Sequence, residues 1–165
     1  MSRRAISAPP GSTTPLSPAI IVDGIVYASG QIGRDPVTGE VPADIRAQVR
    51  NTIDNLRAVL RQAGADLKDV VKTTVFLTRQ SDFGAMNELY AQQFPEPRPA
   101  RSTIVVAALA RPGIDVEIEA VAYPAKASGA GKGARARSKT RVKTGAKKRG
   151  ATRKAARSSR GRRGR

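Results

Sequence analysis

Val116-Glu117-Ile118-Glu119-Ala120 alternates without a break between apolar and acidic residues. Period two marks a strand with one covered and one open face, because successive side chains point to opposite sides. A chain carrying this segment has to build a sheet and roof its apolar side. A second segment narrows the choice. Arg101 opens Ser102-Thr103-Ile104-Val105-Val106-Ala107, which is rich in β-branched residues and uncharged after its first residue. That run reads as a buried, pleated strand. A guanidinium entering such a strand is costly to desolvate and calls for a carboxylate, from the protein or from a ligand. Arg101 and Glu117 are therefore expected to form the floor of a pocket. One fixed cation would hold a carboxylate, and one carboxylate would handle a water. The plainer alternative is an internal ion pair.

The rest of the chain supplies the roof. Residues 1–18 are proline-rich and read as an extended entry with a short edge strand near Arg4–Ala8. Ala19–Val22 and Ile25–Ser29 flank Asp23-Gly24, a two-residue hairpin signal. Gly30-Gln31-Ile32-Gly33 follows; its glycines are either a strand end or a place where a ligand approaches free backbone N–H groups. Pro42 is expected to open a helix whose apolar stripe is Ile45, Val49, Ile53, Leu56 and Leu60, ended by Gly64. Val70–Thr78 reads as a strand. A second helix, capped by Ser81 or Asp82, runs to about Gln93, with Phe83, Met86, Leu89 and Tyr90 packed on the sheet and Asn87 polar among them. Prolines 95, 97 and 99 deliver Arg101 to its strand, and Asp115–Tyr123 closes the chain's last strand. The order is ββαβαββ, an α+β sheet with two helices on one face. Its other face is left bare, which favours assembly with further copies.

The chain contains no cysteine and no histidine. That excludes disulfides, thiol nucleophiles, Ser-His triads and most zinc sites. No apolar run approaches the length of a membrane span, and the start lacks the apolar core of a signal peptide. The expectation is a cytoplasmic protein, with no metal and no membrane partner.

Six stretches, in order, resemble one family: Ala28-Ser29-Gly30-Gln31, Thr38 to Asp44, Val71 to Phe76, Met86 to Tyr90, Pro99 to Ser102, and Glu117 to Ala120. Over about residues 5–124 they are similar to the RidA/YjgF proteins, the reactive-intermediate deaminases also called L-PSP endoribonucleases or translation inhibitors. The resemblance implies a chorismate-mutase-like α+β fold, a homotrimer with active sites in clefts between subunits, and no cofactor. It implies hydrolysis of 2-iminobutyrate, 2-iminopropionate and their enamine tautomers to 2-keto acids and ammonia. On that basis Arg101 grips the substrate carboxylate and Glu117, with Glu119 as a possible substitute, handles the water. Gly30 N–H shares the carboxylate, Ser29 and Asn87 shape the wall, and the Thr103 main chain meets the imine nitrogen. Two positions depart from the pattern. Ser17-Pro18-Ala19 corresponds to a family Gly-Pro-Tyr, so Ala19 is expected to widen the cleft or shift the substrate. Thr103 stands where many members have cysteine.

Charge divides the chain. The net +17 of 30 basic and 13 acidic residues falls entirely on residues 126–165, which hold 17 Lys or Arg and no acid; residues 1–125 hold 13 of each. With no aromatic residue and one valine, 126–165 is expected to be a disordered tail. Its composition resembles the basic extensions of linker-histone-like and nucleoid proteins. It is expected to bind nucleic acid through phosphates, placing the protein at the nucleoid or ribosome. The competing functions are thus an imine deaminase and a nucleic-acid-associated protein presenting polycationic tails. A nuclease ranks below both, for want of a histidine or a metal cluster.

Overall fold

The computed structural model describes residues 1–124 of the 165. The expected tail domain, 125–165, lies outside the described residues. Six strands form one mixed sheet: β1 (Arg3–Ala5), β2 (Ala19–Val22), β3 (Ile25–Ile32), β4 (Val70–Leu77), β5 (Ala100–Val105) and β6 (Val116–Ala122). The helices are α1 (Ile45–Gln62) and α2 (Phe83–Gln93). Spatial order is β1-β2-β3-β6-β4-β5, antiparallel throughout except for β4 and β5. The expected ββαβαββ order is present, preceded by β1.

Local chemistry explains the elements. Asp23 and Gly24 both take positive φ, 49° and 90°, the twist that lets a two-residue turn join β2 to β3. Helix α1 begins at Ile45 rather than at Pro42, because Asp44 caps it by accepting a hydrogen bond from Ala47 N–H. Its stripe of Val49, Ile53, Leu56 and Leu60 is fully buried against the sheet. In β6, Val116, Ile118, Ala120 and Ala122 are buried and join Val75 and Leu77 of β4 in a core shared with both helices. The bare side of the sheet carries Glu117, Glu119 and Val121 of β6, with Phe76 opposite Glu117 and Tyr27 opposite Val121.

One strand differs from its reading. β5 is an edge strand, and Ile104 and Val105 remain 46% and 50% exposed. Its β-branched content reflects the pleat, not the number of neighbours. The expected buried strand is therefore open along one side.

Candidate active site

Register decides where the two key residues stand. Thr73 of β4 lies beside Arg101 on one side and Ala120 on the other, so these three share the helix-covered face. Phe76 lies beside Ile104 and Glu117, three positions further along β4. An odd offset reverses the face. Arg101 and Glu117 of one chain therefore stand on opposite faces of the sheet. The expected pairing into one pocket floor does not form within a chain, and neither does the alternative, an internal ion pair.

Arg101 sits in a cradle built by α2. Its guanidinium donates to Asn87 Oδ1 at 2.8 Å, and its central carbon lies 4.6 Å from the Tyr90 ring centroid. Such stacking on an aromatic face suits a planar guanidinium. Tyr90 is fixed in turn: it stacks on Phe94 with centroids 4.1 Å apart, and its hydroxyl hydrogen-bonds the buried Thr73 hydroxyl at 2.7 Å. Burial pushes the Tyr90 phenol's pKa up, so it stays neutral. Asn87 and Tyr90 meet Arg101 together because they are three apart on one helix face. Thr103, two residues on, shares the face of Arg101. A cleft of about 370 Å³ opens here, lined by Asn87, Tyr90, Ala91, Arg98, Pro99 and Arg101.

Glu117 belongs to a second cleft, of about 760 Å³, lined in part by Leu16, Pro18, Gly30, Ile32, Asn55 and Ile114. β3 bulges between Ala28 and Gln31, and the Glu117 side chain lies across Gly30. A Cβ on residue 30 would stand 1.8 Å from Glu117 Oε1, so glycine is what leaves the carboxylate in this position. The two glycines after Ser29 thus serve contacts within the chain: Gly33 backs onto α1, where a Cβ would meet Gln48 at 2.5 Å. Burial, seconded by the neighbouring Glu119 charge, raises the Glu117 pKa above the usual carboxylate range. Ser29 is committed to the scaffold. Its hydroxyl donates to Ser17 O at 2.8 Å and its N–H to Pro18 O at 2.9 Å, which pins the entry loop beside the bulge.

Ala19 does not face this cleft. It is fully buried at the head of β2, opposite Ala28. The expectation that an alanine there widens the cleft is corrected: Leu16 and Pro18 form that wall.

Sequence reasoning passed over three residues. Tyr90 stands at helical spacing among packing residues, and that spacing alone gives it no further role. Leu16 carried no pattern. Gln48, fully buried, donates to Pro42 O and Gly113 O and accepts from Asp115 N–H, tying α1 to the turn that launches β6 and Glu117. The one available signal for Gln48 was an amide set among the apolar positions of an amphipathic helix. No cluster of three or more potential metal ligands occurs among the described residues. No helix among them is long and apolar enough to cross a membrane.

Known proteins of the same design match this chain. The family model described as Endoribonuclease L-PSP matches residues 6–124. The human 2-iminobutanoate/2-iminopropanoate deaminase is 44% identical over 112 residues, 66% of this chain and 82% of that protein. A RutC family protein of Haemophilus influenzae is 43% identical over 113 residues, 66% of this chain and 87% of its own. Among solved structures, RidA from an Antarctic Psychrobacter superposes with a TM-score of 0.68 at 40% identity, covering 73% of this chain and 99% of that one. Escherichia coli TdcF with bound serine gives a TM-score of 0.68 at 37% identity, covering 74% and 99%. With this fold, this order of elements and matches across nearly the whole described region, the chain belongs to the RidA/YjgF family.

Proposed function

We propose that the chain hydrolyses 2-imino acids and their enamine tautomers to 2-keto acids and ammonia, with 2-iminobutyrate and 2-iminopropionate as the simplest substrates. The observation that carries this reading is the pair of prepared groups: a guanidinium held by Asn87 and Tyr90, and a carboxylate of raised pKa held over Gly30. Relatives 42–44% identical are named for this activity. Because the two groups stand on opposite faces of one sheet, we infer that one copy's Arg101 edge meets another copy's Glu117 face. The bare face, with Tyr27, Phe76 and Ile104, is apolar enough to be covered in this way. A homotrimer with three such clefts satisfies the requirement.

In this mechanism the Arg101 guanidinium keeps donors beyond the one given to Asn87 and grips the substrate carboxylate through two parallel N–H···O bonds. Gly30 N–H shares that carboxylate, while Asn87 and Thr103 line the wall beside Arg101. Glu117 takes a proton from water as the water oxygen bonds to the imine carbon. It returns that proton to the nitrogen, which gives the carbinolamine. It then takes the carbinolamine hydroxyl proton and passes it to the nitrogen, so that the C–N bond breaks with its electron pair on ammonia while the O–H pair forms the carbonyl. The carboxylate ends as it began. Burial serves this shuttle, because a general base with a pKa closer to neutrality also returns its proton readily. No cofactor enters. The test is a coupled assay in which threonine dehydratase makes 2-iminobutyrate and semicarbazide traps what is not hydrolysed. Wild-type protein should suppress trapping and Arg101→Ala should not; equal trapping with and without wild type would rule the reading out.

A second reading concerns the tail, and a specific observation favours it. Residues 126–165 carry 17 basic residues and no acid, and they lie beyond the family match at 6–124. We propose that this segment binds nucleic acid by phosphate contact and counterion release, without base stacking. If three chains assemble, each particle presents three tails and gains avidity. Binding of duplex DNA by the full chain should weaken about 10³-fold or more between 50 and 200 mM salt. A chain ending at Ala125 should not bind but should keep its imine activity. Equal DNA binding by the two would remove this reading.

A further inference from the structure

We infer that the cleft beside Glu117 selects 2-imino acids with bulky apolar side chains over those bearing a methyl or ethyl group; this rests on the deaminase reading above. In the single chain the cleft is half open and offers about 760 Å³. Pockets of that volume take ligands of drug size, whereas a four-carbon imino acid has only a handful of non-hydrogen atoms. The surplus space has a defined character. Pro9, Pro10, Leu16, Pro18, Val59 and Ile114 all line it. In the single chain Leu16 is 53% exposed and turns apolar surface into the cleft. The wall is also fixed. Three of its members are prolines, with restricted backbones. The segment is anchored to β3 where Ser29 bonds both Ser17 O and Pro18 O.

The rival occupant is an acidic side chain, since Arg34 and Arg111 also line the cleft. Two features oppose it. Arg34 Nε already donates to Gly39 O. Glu117 lies in the same cleft, and an acidic side chain would bring a second negative charge to the carboxylate that must act as base. An apolar side chain meets no such penalty and gains by leaving water. Each added methylene buried there is worth about fourfold in kcat/KM. A leucine-derived imine should then exceed the alanine-derived one by roughly 50-fold, the effect of three added carbons.

The experiment uses the full chain. A general L-amino-acid oxidase, with catalase to remove peroxide, generates imines from alanine, 2-aminobutyrate, leucine, phenylalanine and glutamate. Keto-acid release is measured against semicarbazide trapping. The expected result is the highest kcat/KM with leucine or phenylalanine, and a leucine-to-alanine ratio that falls about tenfold in Leu16→Asn. Turnover confined to the alanine and 2-aminobutyrate imines, or greatest for the glutamate imine, would overturn the inference and leave the deaminase reading standing. A ratio unchanged in Leu16→Asn would overturn it too. Turnover of none of the five would overturn the deaminase reading with it.

Discussion

Gly30 shows how little room a single residue can leave. Its missing Cβ is the space Glu117 occupies, at 1.8 Å from Oε1. Gly30→Ala should push that carboxylate aside, and a displacement of about 1 Å in a catalytic group costs on the order of 10²-fold in rate. Its circular dichroism should match wild type while kcat on 2-iminobutyrate falls; a full-rate Gly30→Ala enzyme would separate Glu117 from the chemistry. Glu117 also fixes a pH dependence. Its pKa is raised, first by burial and then by Glu119. The base form is therefore lost on the acid side at a higher pH than for a free glutamate, and the rate climbs as pH rises through the raised pKa. Glu119→Gln removes the like charge and should move that acid limb to lower pH, leaving its shape unchanged. The alternation of β6 made Glu117 legible from sequence, because period two is local. That Arg101 and Glu117 face opposite ways was not legible, because the register between β4, β5 and β6 sets it.

Helix α1 shows the same division at the scale of an element. Its apolar stripe was readable, since spacings of three and four report the buried face directly. Its amide side chains were not. Gln48 holds Pro42 O, Gly113 O and Asp115 N–H; Asn51 holds Gly33 O; Asn55 holds Ile32 O and Arg34 O. Their partners are carbonyls and an N–H that only the folded loops bring near. Together they fasten both backbone segments that flank Glu117: the end of β3 and the turn before β6. Gln48→Leu leaves buried carbonyls and an N–H unsatisfied, a loss of about 1–3 kcal/mol. Urea denaturation should show the midpoint falling without a change in slope. A midpoint equal to wild type would mean that water replaces the amide at no cost. β5 teaches the converse. Its residues announced a strand, yet the parallel pairing with β4 that leaves it at the edge depends on the long α2 crossover.

At the scale of the molecule, the chain divides its charge. The family domain is neutral over residues 1–125, and the whole +17 follows it. β6 runs on from Glu117 to Ala122, so the chain leaves the sheet roughly 17 Å from Glu117 at about 3.3 Å per residue. Catalysis and tail binding should therefore be separable by truncation. The central claim is that a working cleft takes Arg101 from one copy and Glu117 from another. The most direct measurement mixes two full-length variants, Arg101→Ala and Glu117→Gln, each inactive alone, then unfolds and refolds them together and assays 2-iminobutyrate hydrolysis. Random assembly should restore roughly a quarter of the wild-type rate, because only clefts pairing an intact Arg101 with an intact Glu117 work. Refolded mixtures that stay as inactive as their parents, beside an active refolded wild type, would contradict the shared cleft.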